Sequence, residues 1–324
     1  MYSRASMTHP SKSWADMSSG TIESSRLPKS SSRVVAADLT SIGANVPVGF
    51  RIAIVSERTR VAVVGVGAMG EALVSGLLAA GWDPSEITLA VRRMDRGDEL
   101  AQKTGCRVFL DPIQGMEGAD VVVIAVKPRD VSDVLKVIAG HVDEVQTIIS
   151  LAAGVTTGAY EAQLGAVPVV RAMPNTPALV REGVTGIAPG NHAGTEHLDV
   201  AREVLGAVGA VRIMEETLMD AVTAVSGTGP AYVFLLAEAL TEAAMREGLP
   251  RDVAENFVHQ TIRGAGHLLT ETGKSPARLR HEVTSPGGTT AAAIHVLEEK
   301  GFRALVEDAV RAAAIRAREL GGGA

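Results

Sequence analysis

The segment from Arg60 to Gly70 limits the folds open to this chain more than any other. Arg60-Val61-Ala62-Val63-Val64 is a short β-branched run, and it leads into Gly65-Val66-Gly67-Ala68-Met69-Gly70. A continuous apolar run of this length reads as a strand buried on both faces. Ala68 to Ala80 has helical character and stops at Gly81, a residue suited to closing a helix. A strand, a G-x-G-x-x-G turn and a helix, in that order, open a βαβ unit able to hold a dinucleotide. Gly65 makes the tight turn, Gly67 lets the backbone approach a pyrophosphate, and Gly70 allows close helix–strand packing. The phosphates would then rest on the helix N-terminus. In a chain with 34 glycines the pattern alone is weak, and a ligand-free turn is the plain alternative. Its place between strand and helix favours the cofactor.

The alternation continues. Ile87 to Val91, Asp120 to Val126 and Gln146 to Leu151 read as strands, and Met94 to Thr104 and Val131 to Ala139 as helices. Such a succession implies right-handed crossovers around a parallel sheet. Pro168-Val169-Val170, Val184 to Ala188 and Val211-Arg212-Ile213 extend that sheet. After about Glu216 the strand signals end, and Leu218–Arg246, Asp252–Thr272, Thr289–Lys300 and Phe302–Leu320 all read as helices. The expected fold is α/β: a dinucleotide-binding domain over residues 60–216, followed by an all-helical domain over 217–324. Residues 1–59 differ in texture, with 13 serines and seven Lys/Arg against four Asp/Glu. They read as a disordered extension, with one short strand expected at Arg51 to Val55. A transit peptide would also be rich in serine and arginine, but Asp16, Glu23, Asp38 and the missing amphipathic arginine stripe count against one.

Composition removes several function classes. Thirty-one basic against 37 acidic residues give a net charge of −6 without a long basic run, which argues against a nucleic-acid partner. A single cysteine, Cys106, allows neither an internal disulfide nor a multi-cysteine zinc site, and fits a reducing, cytoplasmic setting. Apolar stretches are broken well short of the roughly 20 residues that span a membrane. His192 and His197, the closest histidine pair, are five residues apart rather than at helical metal-site spacing, and no Asp/Glu cluster joins them, so no metal is expected.

The second strand ends in Ala90-Val91-Arg92-Arg93, with no carboxylate to bind ribose hydroxyls. Two guanidiniums instead suit a 2′-phosphate, so Arg92 and Arg93 point to NADPH, with NADH as the alternative. A solvated basic loop is the bland reading of the same pair. Ala125-Val126-Lys127-Pro128 closes the most apolar strand, at the end where open parallel sheets bind ligands. Ala152 and Ala153, after the next strand, leave room for a nicotinamide ring, although ordinary close packing explains them almost as well.

Three further segments look too specific for scaffolding. Met173-Pro174-Asn175-Thr176-Pro177-Ala178 is a loop held between prolines, with Asn175 as a polar centre facing the cofactor. Ser226-Gly227-Thr228-Gly229-Pro230-Ala231-Tyr232 is expected to interrupt a helical stretch, because Gly and Pro there cost helix stability. Val283-Thr284-Ser285-Pro286-Gly287-Gly288-Thr289-Thr290 opens directly into a helix, whose exposed N–H groups can hold a carboxylate without a basic side chain.

With these segments and Gly65–Gly70, the sequence from about Arg60 to Leu320 resembles the pyrroline-5-carboxylate reductases. Val283 to Thr290, running on through His295-Val296-Leu297-Glu298, is most similar to that family's signature. The resemblance implies a Rossmann domain, a helical domain interlocked with a partner's into a homodimer, and often a decamer of five dimers. It implies reduction of Δ1-pyrroline-5-carboxylate to L-proline with NADPH or NADH. It places catalytic Thr290 near the substrate's ring nitrogen, and Ser226, Ser285, Gly287, Gly288 and Thr289 around the substrate. Gly65, Val66, Gly67, Ala68, Met69, Gly70, Ala125, Val126, Lys127, Pro128, Ala152 and Ala153 fall on cofactor-contacting positions. Glu282 departs from relatives that carry Asn there and is given no role. A related imine or hydroxyacid reductase, or an NADPH-binding regulator without turnover, are the rival readings. The hydroxyacid enzymes need a helical lysine as acid/base, and Lys274 and Lys300 are poorly placed for it.

Overall fold

The computed structural model describes residues 59–321. The serine-rich extension, and the strand expected at Arg51 to Val55, fall outside the described residues apart from Thr59. β1 (Val61–Val64), β2 (Ile87–Ala90), β3 (Arg107–Phe109), β4 (Val121–Ile124), β5 (Thr147–Ser150), β6 (Val169–Met173), β7 (Gly183–Pro189) and β8 (Gly209–Ile213) form one sheet, in the order β3-β2-β1-β4-β5-β6-β7-β8. All neighbours run parallel except β6 and β7, which are antiparallel. That pair corrects the expectation of a wholly parallel extension. The connection between them carries only a tight turn of 3-10 helix at Thr176–Val180, too short for the crossover that a parallel pair requires.

Buried strands explain why the apolar runs are continuous rather than alternating. Val61, Val63, Val121 and Val123 point to one face, where they meet Leu73 and Leu77 of α1 (Ala68–Ala79). Leu100 of α2 (Met94–Thr104) and Val204 and Leu205 of α6 (Thr195–Gly206) join the same face. Ala62, Val64, Val122 and Ile124 point to the other face, against α4 (Pro128–Ile138), α3 (Pro112–Met116) and α5 (Thr157–Leu164). With one layer of helices on each face, each fully buried Val, Leu or Ile contributes about 1.5–3 kcal/mol. Cys106 is buried just before β3, as a small hydrophobe.

After β8 the described chain is entirely helical. α7 (Met219–Val222) passes through a π-turn at Thr223–Gly227 into α8 (Gly229–Arg246), so the expected break at Ser226–Tyr232 is not a break. The π-turn accommodates it: the Thr228 N–H skips back to the Thr223 carbonyl at 2.8 Å, one residue further than in an α-helix. The Tyr232 hydroxyl donates to the Ala224 carbonyl at 3.1 Å. α9 (Arg251–Glu271) pairs with α8, α10 (Pro276–Glu282) with α9, and α11 (Thr289–Glu299) with α12 (Phe302–Gly321). These helices bury little among themselves: Phe234 is 61% exposed, Phe257 68% and Leu305 65%. Apolar side chains of that size stand exposed along several helices of the single chain.

Candidate active site

The C-terminal ends of β1, β4, β5 and β6 meet at one rim of the sheet, where open α/β folds hold ligands. Gly65 leaves β1 with φ +87°, a left-handed conformation that only glycine adopts without cost, and its N–H donates to the Ala90 carbonyl at 2.9 Å. A Cβ on Gly65 would stand 2.3 Å from Val126 Cγ1, so the turn lies directly against the end of β4. Gly67 is the N-cap of α1 with no side chain capping it, and a Cβ there would meet nothing within 4 Å. The helix start is therefore open on the side from which an anion approaches, which fits a dinucleotide pyrophosphate.

A crevice of about 310 Å³ opens over this turn. Gly65, Val66 and Gly67 form its floor, Ala125, Val126 and Lys127 one side, and Arg92, Arg93 and Arg96 the other. Sequence reasoning reached all of these except Arg96. The missed signal was a third basic residue in the first turn of the helix after β2. Ala68, Met69 and Gly70 form the first turn of α1, and Pro128 that of α4, behind the crevice walls. Arg92 lies 3.6 Å from Asp130, and Arg93 pairs with Asp95 at 3.4 Å. Ala152 is buried and its N–H donates to Ser150 Oγ, while Ala153 is half-buried on the same loop. Ser150 Oγ in turn donates to the Tyr160 hydroxyl at 2.6 Å.

Asn175 sits differently from its expected role. Its Oδ1 accepts the Val184 N–H at 2.9 Å, which fixes the turn between β6 and β7, and the side chain lies outside the crevice lining. Ser226 Oγ donates to the Val222 carbonyl at 3.0 Å inside the π-turn. That turn touches the end of β6, since a Cβ on Gly227 would stand 2.6 Å from Met173 Cε. Ser226 thus belongs to the rim. Beneath it, buried Arg171 on β6 faces Glu216 at 3.3 Å and Asp220 at 3.7 Å. Glu216 also accepts from the Thr157 N–H at 2.8 Å and the Thr157 hydroxyl at 2.7 Å. This cluster, unseen in the sequence, fastens the first helical residues to the sheet.

The loop from Ser285 to Thr290 is not brought to the crevice of its own chain. α10 packs on α9 and α11 on α12, and neither makes a substantial contact with the sheet. Ser285, Gly287 and Thr289 are exposed, and Gly288 and Thr290 half-buried. Gly288 caps α11 without a side-chain hydrogen bond, which preserves the expected anion-accepting helix start. Glu282 is held by Lys274 at 2.9 Å and Arg278 at 2.8 Å, and those hydrogen bonds lower its carboxyl below the usual range. This pairing also occupies Lys274, so neither it nor helix-ending Lys300 reaches the crevice lining.

A family model described as pyrroline-5-carboxylate reductase dimerisation matches residues 216–320. Another, described as NADP oxidoreductase, coenzyme F420-dependent, matches residues 60–154. A pyrroline-5-carboxylate reductase from Corynebacterium melassecola is 43% identical over 267 residues, 81% of this chain and 99% of the relative. This chain belongs to the pyrroline-5-carboxylate reductase family. The solved reductase from Coxiella burnetii is 42% identical with a TM-score of 0.77, covering 81% of this chain and 98% of that one. The Plasmodium falciparum enzyme, solved with NADP bound, is 29% identical with a TM-score of 0.73, covering 82% and 99%. Membership of this family sets aside the hydroxyacid-reductase reading.

Proposed function

We propose that this reductase delivers a hydride from NADPH to C5 of Δ1-pyrroline-5-carboxylate, giving L-proline in the cytoplasm. The observation that carries the reading is the open Gly65–Gly67 turn facing a crevice with three arginines, joined to a helical region of matching family. Bound NADPH would supply the hydride. The chain's own task is binding and orientation, because a cyclic imine takes its proton from water near neutral pH and needs no strong protein acid. Gly65 and Gly67 leave room for the pyrophosphate, and Lys127 offers a positive charge at the end of β4. The Gly287, Gly288 and Thr289 amides would receive the substrate carboxylate. The Thr290 hydroxyl would orient the ring nitrogen and can relay its proton.

In one protomer the Ser285–Thr290 loop and the crevice are separate, while the helical region exposes a broad apolar face. These two observations support a homodimer in which the partner subunit's Thr290 completes each site. Loss of NADPH absorbance on adding Δ1-pyrroline-5-carboxylate, with NADH run in parallel, tests the reaction. T290A should lower turnover at least about tenfold with unchanged NADP+ affinity. Cofactor binding without substrate-dependent oxidation would refute the reading.

A further inference from the structure

Among the described residues, three arginines line the crevice, but they are not equivalent. Arg93 has its side chain 68% exposed and Arg92 39%, whereas that of Arg96 is only 21% exposed. Arg96 projects from the first turn of α2, and its two terminal nitrogens are held by separate carboxylates. One contacts Glu71, and the other lies 2.7 Å from Glu99. Glu71 is itself gripped on its second oxygen by Lys103 Nζ at 2.6 Å. The Glu71 N–H donates to the Gly67 carbonyl at 2.8 Å, so the carboxylate that holds Arg96 grows from the phosphate-binding turn itself. Hydrogen bonds from Lys103 and Arg96 lower the Glu71 carboxyl below its ordinary range.

We infer that Arg96, positioned by Glu71, is the residue that discriminates NADP(H) from NAD(H) in this enzyme, by gripping the 2′-phosphate. The inference rests on the cofactor reading above and deepens it. A guanidinium presents several N–H donors in a rigid fork, and two carboxylates leave most of them available. An arginine pinned on both sides loses little side-chain freedom on meeting a phosphate, whereas Arg93 must first be immobilised. Among the described crevice-lining residues, no carboxylate takes the place at the end of β2 where a ribose-binding acid would stand; Asp130 lies across the crevice beside Arg92.

The test is titration of NADP+ and NAD+ into the full-length protein by calorimetry, for wild type, R96M and E71Q. The affinity ratio cancels the pyrophosphate that both cofactors carry. R96M should reduce the NADP+-to-NAD+ ratio at least about tenfold, as loss of a charge-assisted phosphate contact implies. E71Q leaves Arg96 with Glu99 as its one charged anchor and should reduce the ratio about threefold. If Glu71 acted only as a nearby negative charge, E71Q would instead raise affinity for both cofactors, and an unchanged or higher ratio overturns its positioning role. A parallel loss of both affinities in R96M, or no loss, overturns the role of Arg96. A wild-type protein that binds neither cofactor sinks the cofactor reading as well. Discrimination lost in R96M in a protein inactive on pyrroline-5-carboxylate would leave this inference standing and remove only the substrate.

Discussion

Adding one methyl group to Gly67 should separate binding from folding at the cofactor turn. Gly67 has φ −85° and ψ −164°, open to any residue, and a methyl there meets no atom within 4 Å. The expected cost to stability is the glycine-to-alanine difference at a helix N-cap, about 1 kcal/mol or less. Gly65 is the contrast: φ is +87°, and a methyl would lie 2.3 Å from Val126 Cγ1 and 2.9 Å from its backbone nitrogen. The left-handed backbone costs about 1–2 kcal/mol, and the forced displacement another 1–3 kcal/mol or so. G65A should therefore lose about 2–5 kcal/mol. The space that accepts the methyl in G67A is the space through which the pyrophosphate approaches. NADP+ affinity should fall at least about tenfold, or about 1.4 kcal/mol. Urea unfolding of both variants, with calorimetric NADP+ titration of G67A, measures all of this. Wild-type NADP+ affinity in G67A would refute the placement of the pyrophosphate, and equal stabilities of G65A and G67A would refute the steric argument.

Three other outcomes follow from the same structure. R171M leaves Glu216 and Asp220 without their buried cation and should cost about 2–4 kcal/mol in urea unfolding; a change under about 0.5 kcal/mol would show the cluster to be incidental. Burial raises the Tyr160 phenol far above its ordinary value, so its contribution to stability is full below about pH 10 and declines as pH rises toward the folded value. Y160F should flatten the alkaline fall in stability, and identical alkaline limbs would contradict the shift. F234E places a charge on the exposed face of α8, so sedimentation velocity should find monomer together with lost turnover, and an intact dimer would refute that interface.

Much of the dinucleotide domain was legible because its strands are buried on both faces. Val61–Val64 and Val121–Ile124 lack the alternation of a half-buried strand, and each is stopped by Gly or followed by Pro. Met94–Thr104 could be bounded at both ends, since Gly105 closes it in the left-handed region. Four helices carried no expectation. α5 has one large apolar anchor, Tyr160, and α3 and α10 are too short for periodicity to register. α6 did carry a pattern, with Ala201, Val204 and Leu205 at helical spacing, but it starts in a polar segment at Gly194. There, His197 Nδ1 accepts the Gly194 N–H at 2.9 Å. Of the candidate site, Gly65–Gly67, Arg92, Arg93 and Ala125–Lys127 were reached from motif position alone. Asn175 was also expected there; in the described chain it ties its own turn through the Val184 N–H, as a polar residue between prolines readily can.

The sequence by itself determined the alternation of the buried strands with α1, α2 and α4, the glycine turn and the helix start at Thr289, since each depends on residues within one or two turns of chain. Only the tertiary structure decided what those elements meet. The burial of Arg171 against Glu216 and the tie from Glu71 to Arg96 join residues far apart in sequence, and the short β6–β7 connection shows its antiparallel outcome only once both strands are placed in the sheet. A π-turn keeps helix geometry through Ser226–Pro230, where residue preference alone argues for a break, with the Thr228 N–H and the Tyr232 hydroxyl bonded to the Thr223 and Ala224 carbonyls. Distance along the chain hides such contacts: a carboxylate or guanidinium has the same local signature whether it faces water or a buried partner.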